Sequence, residues 1–225
     1  YGEFCLGEKT GIDRNDEPSR LAPSWNWKRR THGETWFPEE TVIVGIGQGY
    51  LLATPLQLAV ATAAIANRGK RVQPRLLARF ENLETGEIVP GPEVRITAIT
   101  AVDSSLLDTV IQGMIAVVHG PRGTARASGR GAAYRMAGKT GTSQLISIGQ
   151  DETYDANSVP ERLRDHALYI TFAPVERPRI ALAVVVENAG SGSRVAAPIA
   201  RKILDYYFIE RLRRAALTSP ANDFG

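Results

Sequence analysis

The sequence predicts an α+β fold: an antiparallel sheet flanked by helices. Three observations lead there. Three strand-like segments, 134–144, 166–174 and 179–188, follow one another with polar or hairpin-length connections and no helix between them, and strands joined that way pair antiparallel. The stretch 54–68 is apolar on nearly every face, which predicts a buried helix. An amphipathic segment at about 196–214 supplies a helix to cover the sheet.

At 225 residues and 43% hydrophobic content, the chain is long enough to bury a core. Residues 1–40 read as a loop-rich segment whose three Trp pack onto a larger body. The helix at 54–68 begins with Thr54 as N-cap, Pro55 at the first helical position and Gln57 completing a capping box; Asn67-Arg68-Gly69 closes it. The run RFENLETGEIV predicts a hairpin around Thr85-Gly86. From Asp103 or Ser104 to Val118 the residues Leu106, Leu107, Val110, Ile111, Met114, Ile115 and Val118 recur at helical spacing, and His119-Gly120-Pro121 ends that helix. A Gly-rich loop, GPRGTARASGRG, then leads into the strand at 134–144. A polar loop occupies 145–165, and Val175 to Pro178 form a hairpin turn between the last two strands. In the closing helix Ile199, Ile203, Leu204, Tyr207 and Phe208 predict the buried side, and Arg201, Lys202, Asp205 and Glu210 the solvated one. Pro220 onward is expected to fray.

Charge and composition narrow the function. Lys and Arg total 27 against 24 Asp and Glu, a net of +3, and the densest basic run, Lys28-Arg29-Arg30, is short. A solvated turn accounts for it, and no nucleic-acid partner is expected. No apolar run has the length of a membrane span, and YGEFCLGEKTG does not have the pattern of a signal peptide. Cys5 is alone, so no internal disulfide forms, and nothing local lowers its thiol pKa toward reactivity. His32, His119 and His166 lack the spacing of metal ligands; neither metal nor cofactor is expected.

The chemistry concentrates at Tyr134–Gln144, YRMAGKTGTSQ. Lys139 offers a point charge, Thr140 and Thr142 offer hydroxyls, and Gly141 leaves the backbone open to a ligand, a compact device for gripping a carboxylate. Gly138-Lys139-Thr140 cannot close a P-loop, because Ala133 stands where that loop needs Gly and a strand follows instead of a helix. Gly45, Gly47 and Gly49 do not make a dinucleotide fingerprint, because Tyr50 occupies the third required Gly. A Lys-(Ser/Thr)-Gly triplet arises by composition in roughly one chain of this length in ten. Its setting, after a Gly-rich loop and beside two apolar strands, is what gives it weight. Lys-Thr-Gly is one of three elements of penicillin-recognising serine enzymes, with S-x-x-K and S-D-N.

Four stretches in order, GEKTGID (7–13), VGIGQGYLLATPLQLA (44–59), AGKTGTSQ (137–144) and ERLRDHALYITFAP (161–174), resemble the C-terminal part of the transpeptidase domain of class B penicillin-binding proteins. The last stretch favours the elongation-specific branch over the division-specific one. The resemblance implies the penicillin-binding transpeptidase/serine β-lactamase-like fold, incomplete here. It also implies a D,D-transpeptidase that cross-links D-Ala-D-Ala stem peptides of peptidoglycan and is a β-lactam target. Its catalytic residues would be Lys139 and Thr142, the latter through a backbone N–H of the oxyanion hole. Lys139, Thr140, Gly141 and Thr142 would bind the substrate's carboxylate. It further implies the periplasmic face of the bacterial inner membrane, with the anchor outside this chain, and a glycosyltransferase partner of the elongation machinery.

No S-x-x-K occurs in residues 1–225. Ser24-Trp25-Asn26 fits S-x-N literally, but it follows GEKTGID where the family's motif precedes it, and Ser24 reads as a turn or cap residue. The expectation is that residues 1–225 are the C-terminal portion of one transpeptidase domain, with the nucleophile, the other half of the domain and the anchor upstream. Such a piece would expose apolar surface and depend on its missing half. A non-catalytic fragment that binds peptidoglycan or a partner, and a related D,D-carboxypeptidase or β-lactamase, remain alternatives.

Overall fold

Short elements pinned by side chains make up Tyr1–Gln112, one of two units into which the chain divides; Gly113–Gly225 is the other. The computed structural model describes residues 1–144 and 159–211.

The first unit opens with a single 3₁₀ turn, Gly2–Phe4, and then extended chain. Two eight-residue helices follow, α1 (Trp25–His32) and α2 (Pro38–Gly45), so the largely irregular segment 1–40 also holds α1 and the start of α2; helices this short carry too few apolar positions to show a period in the sequence. Ser24 caps α1 as expected, accepting from the Trp27 N–H at 3.2 Å. Lys28 is buried to 2% and joins the two helices, donating to Glu40 at 2.8 Å with its Nζ 4.7 Å from the centre of the Phe37 ring. The Trp do not pack inward as a group. Trp25 is 74% exposed, while Trp27 forms a ring cluster with His32 and Tyr50 at centroid distances of 5.0 to 5.2 Å.

Helix α3 (Pro55–Ala66) realises the predicted capping box, with the Gln57 N–H donating to Thr54 Oγ1 at 3.0 Å and the Thr54 N–H to Gln57 Oε1 at 2.7 Å. Gln57 is fully buried, and its amide also donates to the Glu8 carbonyl, tying the N-terminal segment to α3. No residue from Leu56 to Ala66 is exposed, in keeping with an apolar surface on all sides. Four three-residue strands form two antiparallel pairs. β1 (Lys70–Val72) pairs with β4 (Ile96–Ala98), and β2 (Arg79–Glu81) with β3 (Ile88–Pro90), the hairpin predicted around Thr85-Gly86. The division between units falls inside α4 (Ser104–His119). Its buried stripe is Leu107, Ile111, Met114, Ile115 and Val118, whereas Leu106 and Val110 stay exposed.

The second unit is a sheet with a helix packed on it. After α5 (Arg126–Gly129) come β5 (Ala137–Ser143), β6 (His166–Ala173) and β7 (Ile180–Val186), antiparallel in the order β5-β6-β7. A π-helical turn, Gly192–Ala196, leads into α6 (Ala197–Asp205) and a last π-turn, Tyr206–Arg211. Met136, Ala167, Tyr169, Ala173, Ala197, Ala200 and Leu204 are all at most 1% exposed and form one cluster with Ile180, Leu182 and Val184 of β7. The buried side of α6 is therefore Ala197, Ala200 and Leu204, while Ile199 and Ile203 are 39% and 40% exposed, a correction to the sequence reading. Small alanines let the helix sit close to the sheet, so the larger isoleucines are turned outward. Residues 145–158 of the predicted polar loop at 145–165, residues 212–214 of the predicted helix and the tail from Pro220 lie outside the described residues.

Candidate functional site

Lys139, Thr140, Gly141 and Thr142 lie together on the predicted strand, β5, an outer strand of its sheet among the described residues. Directly opposed residues share a face, so the register sets Thr140 on the side of Tyr169 and Val184, and Lys139 on the side of Ile170 and Ala183. Lys139 is exposed, and its Nζ donates to the Thr140 carbonyl at 2.5 Å. Thr142 is also exposed at the far end of the run.

Two glycines set how closely this strand is approached. A Cβ on Gly138 would fall 2.3 Å from the Tyr169 hydroxyl oxygen, so only glycine lets that ring lie under β5. Burial pushes the Tyr169 phenol up to about 12, so it stays protonated at neutral pH. A Cβ on Gly192 would meet the Leu168 carbonyl at 2.2 Å and the Gly141 carbonyl at 2.4 Å. The Gly192–Ala196 turn thus presses directly on the Lys-Thr-Gly backbone, a contact with no counterpart in the sequence reading. A conspicuous Gly-Ser-Gly at 190–192 was the signal available.

At the Thr142 end lies a cleft of about 430 Å³, lined by Thr142, Asp165, Gly190, Ser191, Arg194 and Val195 among others. Two segments that line it, at Asp165 and at Ala189 to Ser191, are tied together by the neighbouring Asn188. That residue adopts φ +56° and donates its backbone N–H to His166 Nδ1 at 2.9 Å. Its side-chain amide donates to the Arg162 and Arg164 carbonyls at 3.0 and 3.1 Å. The Gly190 N–H donates to the Asp165 carbonyl at 2.8 Å, so the Arg162–His166 run is fastened along the exit of β7. The acceptor role of His166 Nδ1 leaves Nε2 to carry the proton of the neutral ring.

At Thr140 the Gly-rich loop touches β5. The Thr124 and Thr140 hydroxyl oxygens are 2.9 Å apart. The loop is held from α6 by Arg201, whose Nη atoms donate to the carbonyls of Ser128, Arg130 and Gly131 at 2.8 to 3.3 Å, while its Nε donates to Asp205 at 2.8 Å. Tyr134 donates to the same Asp205 carboxylate at 2.8 Å, and burial together with that carboxylate raises the Tyr134 phenol. Arg201 and Asp205 were expected on a solvated face; instead they brace the loop before β5. Thr124 and Arg201 both escaped the sequence reading, because their partners are fixed by tertiary structure. Among the described residues no three His, Cys, Asp or Glu are grouped to hold a metal ion. Burial raises the Cys5 thiol, the opposite of what a nucleophile requires.

An antiparallel sheet that carries Lys-Thr-Gly-Thr on an outer strand, with Lys139 and Thr142 exposed and α6 packed behind it, has the arrangement of the penicillin-binding transpeptidase fold. Over residues 1–205 the chain matches the model of the penicillin binding protein transpeptidase domain, and it belongs to that family. It is 42% identical over 207 residues to the peptidoglycan D,D-transpeptidase MrdA of Salmonella typhimurium, covering 92% of this chain and 33% of that protein. Among solved structures it is similar to Pseudomonas aeruginosa PBP2 in complex with WCK 5153, at TM-score 0.76 and 41% identity, covering 92% of this chain and 42% of that one. The complex between PBP2 and MreC from Helicobacter pylori matches at TM-score 0.73 and 28% identity, over 92% and 34%. The chain spans about a third of the length of the curated relatives it matches.

Proposed function

We propose that this chain forms the substrate-gripping wall of an elongation-type peptidoglycan D,D-transpeptidase. The observation that carries the reading is the Lys139-Thr140-Gly141-Thr142 run on β5, an outer strand of its sheet among the described residues, with Lys139 and Thr142 exposed. The identity of 42% to a D,D-transpeptidase supports it. In this reading residues 1–225 are the C-terminal portion of one transpeptidase domain, with the segment 1–40, the buried helix at 54–68 and the strands and helix at 134–214 as its parts.

The attacking serine is assigned to a segment outside these residues, because none of their serines is followed by lysine three positions on. Its Oγ attacks the carbonyl carbon of the penultimate D-Ala. The serine proton passes through the partner lysine to the amine of the departing terminal D-Ala as the C–N bond breaks. An amine of a neighbouring stem peptide then attacks the ester, and the serine leaves with a proton returned to it. Lys139 supplies positive potential to the groove, and the Thr140 and Thr142 hydroxyls donate to the terminal carboxylate of the substrate. The Thr142 N–H is one of two donors to the oxyanion, a role worth about a hundred- to a thousandfold in rate. A β-lactam enters by the same route, its carboxylate taking the place of the substrate's. The expected location is the periplasmic face of the inner membrane, with a glycosyltransferase of the elongation machinery as partner. The solved complexes of PBP2 with WCK 5153 and with MreC support small-molecule and protein partners for this fold.

Intact mass spectrometry tests the reading. The 225-residue chain alone should gain no mass from benzylpenicillin, while the full-length protein that contains it should gain one penicillin on a serine outside residues 1–225. Labelling of any serine within the 225 residues, or no labelling of the full-length protein, contradicts it.

A further inference from the structure

Thr124 is exposed, yet the chain on either side of it is anchored. Ala125 is 1% exposed and donates its N–H to the Val117 carbonyl at 3.0 Å. A Cβ on Gly123 would fall 2.3 Å from that same oxygen, so the loop lies directly against the end of α4. Beyond Thr124 the carbonyls of Ser128, Arg130 and Gly131 are held by Arg201. From this braced position the Thr124 hydroxyl meets that of Thr140 at 2.9 Å.

A threonine hydroxyl has one proton to give, and a carboxylate can only accept. If Thr140 gives its proton to the substrate, as proposed above, its contact with Thr124 must run in the other sense. We infer that Thr124 is a positioning residue: its O–H donates to Thr140 Oγ1, which turns the Thr140 proton toward the substrate carboxylate. Without that donor the Thr140 hydroxyl rotates among its staggered positions and spends part of its time aimed elsewhere. Donating to Thr140 also polarises it, which strengthens the bond it makes in turn. The inference rests on the proposed role of Thr140 and adds the residue that orients it.

The test uses the full-length protein and benzylpenicillin, with the acylation rate followed against penicillin concentration for T124V, T124S, T140V and T124V/T140V. T124V should lower the efficiency of acylation about fivefold, the worth of one neutral hydrogen bond. The loss should appear as a need for more penicillin, with the limiting rate little changed. T124S keeps the hydroxyl and should stay within about twofold of the wild type. T124V/T140V should be no worse than T140V, since Thr124 acts only through Thr140. A merely structural role would lower Tm in T124V and T124S alike and multiply with T140V, and either result overturns the inference. Normal acylation by T124V beside impaired T140V overturns it while leaving the role of Thr140 standing. Normal acylation by T140V overturns both.

Discussion

In Tyr1–Gln112 carboxylates supply several of the long-range ties, beside other polar side chains and short strand pairs, whereas in Gly113–Gly225 a three-stranded ladder and an apolar cluster dominate. Asp13 accepts from the backbone N–H groups of Leu76 and Leu77, at 2.6 and 2.8 Å. Glu3 does the same for Thr100 and Ala101, at 2.6 and 2.9 Å, and Glu17 holds the Thr10 and Gly11 N–H groups at 2.7 and 3.0 Å. These ties satisfy backbone donors that lie outside the strands. They bury little apolar surface: Val42, Ile46, Leu76, Leu83 and Ile96 all remain more than 60% exposed. The second unit buries Met136, Tyr169, Phe172 and Leu204 to 1% or less. A region held by charge should respond to pH and tolerate added volume; a region held by packing should do the reverse.

The largest expected effect is at Gly192. In Gly192→Ala the new methyl would meet two backbone carbonyls, which cannot swing aside as a side-chain tip can. Destabilisation should reach about 3 kcal/mol or more in urea unfolding, at the upper end for overpacking. Gly45→Ala, with nothing within 4 Å of the added methyl, is the control in the other unit and should leave the midpoint nearly unchanged. Equal effects at the two glycines would break the contrast.

Acid should act on the other side of it. Accepted N–H bonds from Ala101 and Thr100 hold the Glu3 carboxyl below its ordinary value, those from Leu76 and Leu77 do so for Asp13, and the Lys28 ammonium does so for Glu40. A depressed carboxyl stabilises the fold above its unfolded-state value, near pH 4, and that contribution is lost as pH falls through the lower folded-state value. Between roughly pH 4 and 2, amide-exchange protection at Leu76, Leu77, Thr100 and Ala101 should therefore fall before that of Leu168 and Ile170 in β6. Simultaneous loss would mean that the carboxylate ties are incidental. The smallest effect is at the α3 cap: Thr54→Ala should cost about 1 kcal/mol, read as a lower thermal midpoint.

The sequence discloses whatever is local. The Thr54/Gln57 capping box, the Thr85-Gly86 hairpin and the Ser24 cap each depend on residues within a few positions of one another, and all three form as read. The Lys139 strand and its two partners were legible because β6 and β7 are long apolar runs joined by a hairpin-length turn. What stayed hidden depends on distant partners. Apolar periodicity in the last helix pointed to Ile199 and Ile203, but contact with the sheet selects Ala197 and Ala200. Arg201 looked solvated until the loop at 128–131 offered it three carbonyls. The strand that carries the candidate site residues was therefore readable, and the elements that hold it in place were not.

The central claim is that the edge of β5 grips the substrate's carboxylate, and Lys139→Ala tests it most directly. Lys139 is exposed and, among the described residues, makes one hydrogen bond to its neighbour's carbonyl, so its loss should leave thermal unfolding almost unchanged. Acylation of the full-length protein by benzylpenicillin should fall roughly ten- to a hundredfold, the scale of a charge-assisted hydrogen bond. Acylation at the wild-type rate by a folded Lys139→Ala protein would contradict the account.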